Sequence, residues 1–147
     1  MSKKIGPWTQ LNDKVVYDNP WISIHHQEVL NPNGNPGIYG TVHFKNLAIG
    51  ILVLTENDET YLVGQHRYPL DLYTWEIPEG GGKLRVDPLD SAKRELEEEC
   101  GLRAKSWEPL LTMHLSNSVS DEFAIIYIAR DLEQVAAHPE DTEQLVV

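Results

Sequence analysis

The segment from Asp87 to Leu102 constrains the fold of this chain more than any other. Asp87 is a typical helix N-cap, Pro88 suits the first helical position, and Gly101 supplies a C-terminal stop. Apolar residues at helical spacing between them form one face: Leu89, Ala92, Leu96 and Cys100. The pattern therefore predicts an amphipathic helix from Pro88 to about Cys100 that packs on the rest of the molecule.

Strands are predicted on both sides of this helix from apolar alternation and continuous apolar runs. They cover residues 21–30, 38–44, 46–54, 60–65, 110–114 and 122–129. We interpret residues 60–65 as the hairpin partner of 46–54, and residues 67–86 as a loop rich in proline and glycine. One dominant helix among about six or seven strands indicates an α+β fold.

Length and charge limit the classes of function. The chain has 147 residues, which suits one domain over residues 1–147, with an N-terminal β-hairpin at about 14–44. Its net charge of -11 disfavours nucleic acid and anionic membrane surfaces as partners. No apolar run approaches the roughly 20 residues of a membrane span. The single cysteine excludes an internal disulfide and favours a cytoplasmic location.

Three glutamates on the predicted helix carry the strongest chemical signal. Glu95, Glu98 and Glu99 fall within an arc of roughly 100° on a regular helix. Carboxylates crowded in this way repel one another, and a hard divalent cation such as Mg²⁺ removes that cost. The alternative is a solvated acidic helix face, which is the commoner origin of an acidic run.

The segment that precedes the helix favours the metal site. Gly80 stands in a glycine-rich stretch, and residues 80–102 resemble the Nudix box, G-x5-E-x7-R-E-U-x-E-E-x-G-U, where U is aliphatic. The matching residues are Gly80, Arg94, Glu95, Leu96, Glu98, Glu99, Gly101 and Leu102. Val86 departs from the pattern, because the family has a glutamate there that braces the loop and the box arginine. Arg94 is therefore expected to lack its usual partner, unless Asp87 replaces it.

The resemblance implies both a fold and a metal site. The fold is a Nudix-type α/β/α sandwich with a mixed central sheet and one catalytic helix after a Gly-rich loop. Metal ligands are implied at Glu95, Glu98, Glu99 and the backbone carbonyl of Glu79, with Mg²⁺ as the expected cofactor and Mn²⁺ as an alternative. Glu98 and Glu99 are also expected to be catalytic.

A second resemblance lies upstream of the box. Residues 65–69 (QHRYP) and 75–80 (WEIPEG) are similar to the Q-Y-R-x-P and E-L-P-A-G segments of ADP-ribose and nucleotide-sugar pyrophosphatases. By this resemblance Arg67 contacts the substrate's phosphates and acts in catalysis, and Glu76 lines the substrate site. Arginine suits the role because it stays charged and binds phosphate bidentately. The structural alternatives are a surface salt bridge for Arg67 and loop stabilisation for Glu76.

Three further glutamates are candidates by position relative to this branch. Glu122 matches the glutamate of its S-P-G-x-x-x-E segment and is expected to bind substrate, although Asn117-Ser118 replaces the P-G pair. The branch also places a glutamate in a loop before its last strand. Glu140 is our candidate for the general base and Glu143 for a metal ligand; a solvated acidic loop is the alternative for both.

Together these residues predict Mg²⁺-dependent hydrolysis of the pyrophosphate of ADP-ribose or a nucleotide sugar, giving a nucleoside monophosphate and a sugar phosphate. The partner would be a small nucleotide, and the resemblance also implies a homodimer. One alternative is a catalytically impaired Nudix-fold sensor that only binds a nucleotide. Another is an enzyme that hydrolyses nucleoside triphosphates or dinucleoside polyphosphates.

Overall fold

The computed structural model describes residues 2–139, 141 and 144–147, and it divides into two compact units. The strands are β1 Lys3–Ile5, β2 Trp8–Gln10, β3 Lys14–Asp18, β4 Ile22–Leu30, β5 Pro36–Phe44, β6 Asn46–Val53, β7 Val63–Arg67, β8 Leu72–Glu76, β9 Glu79–Lys83, β10 Leu102–His114 and β11 Phe123–Gln134. The single helix among the described residues is α1, Pro88–Cys100. A mixed sheet with one helix confirms the α+β prediction.

The first unit holds the chain up to Asn46 together with His114–Glu122. Its sheet has the order β1-β2-β4-β3, and β5 also pairs with β4. β4 and β5 are antiparallel over their full length, from Ile22 opposite Phe44 to Leu30 opposite Pro36. The turn between them is closed by the Asn31 side chain, which accepts hydrogen bonds from the amides of Asn33 and Asn35.

The second unit contains the rest of the chain and the main hydrophobic core. Its four-stranded sheet has the order β10-β11-β6-β9, in which β6 and β11 are parallel. Ile49, Ile51 and Val53 of β6 share the core with Leu96 of α1, and all four are almost completely buried. Each such side chain contributes roughly 1.5–3 kcal/mol by leaving water, so this packing fixes the helix to the sheet.

The ends of α1 follow the sequence prediction. The Asp87 carboxylate accepts a hydrogen bond from the amide of Leu89 at 2.9 Å, and Pro88 opens the helix. Gly101 ends it in the left-handed conformation, with φ of 62°. A side chain there would also meet the carbonyl oxygen of Val135, since an added Cβ lies 2.7 Å from that atom. Both constraints require glycine.

Several strand predictions need correction. The predicted loop over 67–86 contains two strands, β8 and β9, and the partner of β7 is β8 rather than β6. β9 has the sequence EGGGK, whose low strand propensity is overridden by its place beside β6 in the sheet. β10 begins directly after Gly101 and not at Leu110. The short strands β1 and β2 were not predicted, because the apolar alternation in them is too brief to detect, whereas β3 lies within the predicted N-terminal hairpin at about 14–44.

Replacing Gly101 with alanine should destabilise the protein by about 1–3 kcal/mol, because alanine is strained at positive φ and its Cβ would press on the Val135 carbonyl. Chemical denaturation measures the change. Gly37→Ala is the matched control, since an added Cβ there has no atom within 4 Å and the backbone is in a strand. Equal stability of the Gly101 variant and the wild type would contradict this account.

Candidate active site

Arg67 of β7 is held by two carboxylates, those of Glu76 on β8 and Glu79 on β9. Its Nε donates to both oxygens of Glu76, at 3.0 and 2.9 Å, and Nη2 donates to the same carboxylate. Nη2 also donates to Oε1 of Glu79 at 2.5 Å. The hydroxyl of Thr74 donates to Glu76 from the same side of the strand. Glu76 therefore fixes the Nε side of the guanidinium, and Thr74 in turn holds the Glu76 carboxylate in place.

The charges of this group reinforce one another. The hydrogen bonds from Arg67 are the largest influence on the pKa of Glu76, and they lower it from its ordinary value. Burial opposes them by raising the pKa, and the bond from Thr74 lowers it. The bond to Glu76 likewise raises the pKa of Arg67, against the effect of burial, and Glu79 and Glu99 add to the rise. Arg67 and Glu76 therefore both stay charged throughout the neutral range.

The helix presents its three predicted metal-binding glutamates beside an arginine of the same helix. Glu95 and Glu99 are only 7% and 3% exposed, and Glu98 is half-buried. Arg94 donates from Nη2 to Glu95 and from Nη1 to Glu98, each at 2.5 Å. It also donates to the carbonyl oxygen of Gly81 at 3.1 Å. These bonds offset the repulsion between two buried carboxylates and their neighbour.

β9 and α1 meet where the glycine-rich strand runs past the glutamates. The amide of Glu79 donates to the Glu99 carboxylate at 3.0 Å. A Cβ added to Gly80 would overlap the carboxylate of Glu95, so that only glycine lets the backbone come so close. A continuous chain of contacts therefore leads from Thr74 through Glu76, Arg67 and Glu79 to Glu99 of the helix.

The donor atoms at this junction fit a hard divalent cation. Glu95, Glu98 and Glu99 offer carboxylate oxygens, and Gly80 brings the β9 backbone against the carboxylate of Glu95. In this structure Arg94 donates hydrogen bonds to two of the three carboxylates, those of Glu95 and Glu98. Over residues 2–139, 141 and 144–147, no group of three or more acidic, histidine or cysteine side chains is already arranged to hold a metal. Metal binding at this set stays a prediction, supported by the chemistry of its oxygens.

Three further site residues were predicted: Glu122, Glu140 and Glu143. Glu122 belongs to the first unit, where burial raises the pKa of its carboxyl above the ordinary value. Glu140 and Glu143 fall outside the described residues, so their predicted roles as base and metal ligand stay predictions. Cys100 is buried, and burial together with the charge of Glu99 raises the pKa of its thiol to about 12, which disfavours a nucleophilic role.

Two contributors to the site were missed by sequence reasoning. Thr74 orients Glu76, and its position two residues before Glu76 on a strand was the available signal, because such residues share a face. The Gly81 carbonyl and Glu98 accept hydrogen bonds from Arg94. They support the arginine in this chain, in which Val86 replaces the glutamate that the family pattern has at that position. Arg94 is thus well bonded, and Asp87 serves as the N-cap instead.

Comparison with known proteins identifies the family. Residues 44–146 match the family model of the NUDIX domain, and residues 8–42 match the N-terminal domain of nucleoside diphosphate sugar hydrolases. The chain belongs to the Nudix family. The resemblance of residues 80–102 to the Nudix box is therefore confirmed at the level of the family, which generally uses divalent metal ions.

Individual Nudix relatives extend the likeness beyond the box. The chain is 32% identical over 136 residues to CMP-5'-(N-acetyl-N-hydroxy-3-aminopropyl)phosphonate hydrolase of Streptomyces rubellomurinus, covering 92% of this chain and 66% of that protein. It is 32% identical over 138 residues to an ADP-ribose pyrophosphatase of Mycobacterium tuberculosis, covering 90% and 66%. The ADP-ribose pyrophosphatase of Bacillus subtilis is 29% identical over 80% of this chain and 63% of its own length. The chain thus spans slightly less than two thirds of these relatives.

A solved structure confirms the Nudix fold. The crystal structure of an ADP compounds hydrolase superposes with a TM-score of 0.85 at 21% identity, covering 99% of this chain and 78% of that one. None of the described helices is long and apolar enough to cross a membrane.

Replacing Arg94 with glutamine should destabilise this Nudix chain by about 1–3 kcal/mol, because the buried Glu95 would lose its charged partner. Arg103→Gln is the control: it breaks a similar ion pair with Glu97 at an exposed position, where the loss should be below about 1 kcal/mol. Thermal and chemical denaturation measure both. Equal losses in the two variants would show that burial of Glu95 has no energetic consequence.

Proposed function

We propose that this Nudix chain hydrolyses the pyrophosphate bond of a nucleoside diphosphate linked to another group. ADP-ribose or a nucleotide sugar is the proposed substrate, and Mg²⁺ the proposed cofactor. The products would be a nucleoside monophosphate and a sugar phosphate. Relatives at about 30% identity that are named ADP-ribose pyrophosphatases support this substrate class.

One observation carries the proposal: the chain of contacts that links Arg67 through Glu79 to Glu99, one of the three helix glutamates. It joins a fixed guanidinium to carboxylate oxygens within one compact unit, which supports the proposal that Arg67 binds phosphate beside the metal. A diphosphate needs both, since its charges must be neutralised on both sides of the bond that breaks.

The chain's own residues would act as follows. Arg67, oriented by Glu76, holds a phosphoryl oxygen and stabilises the negative charge that grows on it. A water oxygen attacks one phosphorus, the bond from that phosphorus to the bridging oxygen breaks, and the bridging oxygen leaves on the other phosphate. A carboxylate accepts the water's proton, and Glu140 is the proposed general base. Glu98 and Glu99 are also proposed to be catalytic. Glu76 and Glu122 are proposed to contact the substrate.

A bound Mg²⁺ would neutralise the diphosphate and lower the pKa of water in its coordination shell. Glu95, Glu98, Glu99 and the Glu79 carbonyl are the proposed ligands, with Glu143 as a further one. Mn²⁺ has similar ligand preferences and could replace it.

The sensor alternative rests on two departures from the family pattern: Val86 replaces the usual box glutamate, and the loop from Ser116 to Glu122 is altered. The bonds of Arg94 to Glu95, Glu98 and the Gly81 carbonyl weaken that argument, because they brace the arginine without the missing glutamate. We therefore retain catalysis as the proposal. Triphosphates and dinucleoside polyphosphates enter as competing substrates in the test.

Three broader expectations are proposals of the same kind. We propose that both units form one Nudix hydrolase domain, that the protein is a homodimer, and that it works in the cytoplasm. The lone buried cysteine is compatible with a reducing compartment. The net charge of -11 argues against nucleic acid as a partner.

The test is turnover of ADP-ribose, GDP-mannose and ATP, followed by chromatography with Mg²⁺ and with EDTA. We expect a nucleoside monophosphate from a sugar diphosphate only with Mg²⁺. Glu99→Gln should lower kcat by about 10²-fold or more, and Arg67→Lys should lower kcat/KM by about 10-fold or more because the bidentate contact is lost. Arg103→Lys, on the exposed pair with Glu97, should leave both parameters unchanged.

Turnover that persists in EDTA would contradict the metal-dependent mechanism. Binding of a nucleotide without any turnover would favour the sensor. Faster turnover of ATP than of either sugar diphosphate would favour a hydrolase of nucleoside triphosphates or dinucleoside polyphosphates. In the sensor case, Val86→Glu is the variant that should restore hydrolysis.

A further inference from the structure

The phosphate-binding edge of Arg67 is already half occupied by the protein itself. A guanidinium has five N–H donors in a plane, and it binds phosphate through two parallel bonds from one edge. The Nε side of Arg67 faces Glu76, which leaves the edge formed by Nη1 and Nη2 for a ligand. Nη2 donates to Glu79 at 2.5 Å, so one of the two nitrogens of this edge already has a protein partner.

The two carboxylates on Arg67 are held very differently. The side chain of Glu76 is 20% exposed, and it accepts hydrogen bonds from Thr74 as well as from Arg67. The side chain of Glu79 is 45% exposed, and only a single one of its oxygens contacts Arg67. A ligand oxygen can therefore replace Glu79 on Arg67 more readily than it can replace Glu76. Glu76 is a fixed brace, and Glu79 is an exchangeable partner.

Glu79 is also a departure from the sequence pattern that this chain otherwise follows. The similar segment in ADP-ribose and nucleotide-sugar pyrophosphatases is E-L-P-A-G, and this chain reads Glu76-Ile77-Pro78-Glu79-Gly80. The carboxylate thus stands where the pattern has alanine, which cannot contact an arginine in this way. Its effect on Arg67 comes in addition to the role proposed for the backbone carbonyl of the same residue.

We propose that the Glu79 side chain is an intramolecular competitor for the phosphate-binding edge of Arg67, a role that rests on the phosphate contact in the proposed function. A phosphate group must displace Glu79 from Nη2 before it can bind bidentately. When a phosphate product leaves, Glu79 returns to the same nitrogen. The carboxylate therefore weakens the binding of every phosphate ligand at this edge and assists product release.

The direct test measures binding of inorganic pyrophosphate and of AMP by calorimetry in EDTA, which removes the contribution of metal. Glu79→Gln should bind both ligands about two- to five-fold more tightly than the wild type, the range expected when an exposed ion pair no longer has to be broken. Glu79→Asp keeps the charge on a shorter side chain and should fall between the two. An unchanged dissociation constant, or no binding by either protein, would overturn the proposal.

Two comparisons separate competition at Arg67 from a general effect of charge. Glu97→Gln removes one negative charge from the exposed pair with Arg103, so it should leave pyrophosphate binding unchanged. In an Arg67→Met background, Glu79→Gln should no longer tighten binding, because the contested edge is gone. Equal tightening in Glu97→Gln, or persistence of the effect without Arg67, would refute the competitor role.

Steady-state kinetics extend the test to turnover. With ADP-ribose as substrate, Glu79→Gln should lower KM by a larger factor than it changes kcat, and AMP should inhibit the variant more strongly than the wild type.

The outcomes distinguish failure of the competitor role from failure of the proposed function. If the wild type hydrolyses no substrate but Glu79→Gln binds pyrophosphate more tightly, the proposed function is wrong and the competitor role of Glu79 is supported. An active wild type with unchanged binding in the variant would do the reverse.

Discussion

The placement of two buried carboxylates on one helix face is the constraint on which the second unit depends. Glu95 and Glu99 are buried nearly as completely as the core residues beside them, and burying charge is unfavourable unless each group has a partner. Arg94 and the amide of Glu79 are those partners. A chain selected for stability alone would place apolar residues at these positions, because a well-packed apolar group is often at least as stabilising as an ion pair.

The same constraint explains the composition of β9. The strand has to run close to Glu95 and Glu99, and only glycine at position 80 leaves room for the Glu95 carboxylate. A glycine strand has little intrinsic stability, so it depends on its neighbours: β6 in the sheet and α1 across the junction. Strand, helix and site are therefore specified together, and a change in one disturbs the others.

Sequence reasoning succeeded where the signal was local and failed where it depended on distant partners. The ends of α1 were predictable because Asp87, Pro88 and Gly101 each satisfy a requirement of the helix itself. The sequence of β9 predicts a loop, because the pairing with β6 connects residues that are far apart in the chain. For the same reason the motif named Arg67 and Glu76 as candidates, whereas the contact between Arg67 and Glu79 and the support from Thr74 emerged only from the fold.

The backbone bonds at the end of α1 have a consequence of their own. Val135 donates to the carbonyl of Gly101, and His138 donates to the carbonyl of Glu98, so the chain that leaves β11 is tied to the last turn of the helix. These ties use main-chain atoms, which every amino acid except proline can supply. Side-chain substitutions in residues 135–138 can therefore accumulate without releasing this segment. A proline at position 135 or 138 would remove one of the two backbone hydrogen bonds, because proline has no N–H. The connection between the helix and the segment beyond β11 thus depends on the path of the backbone, and it tolerates changes of side chain.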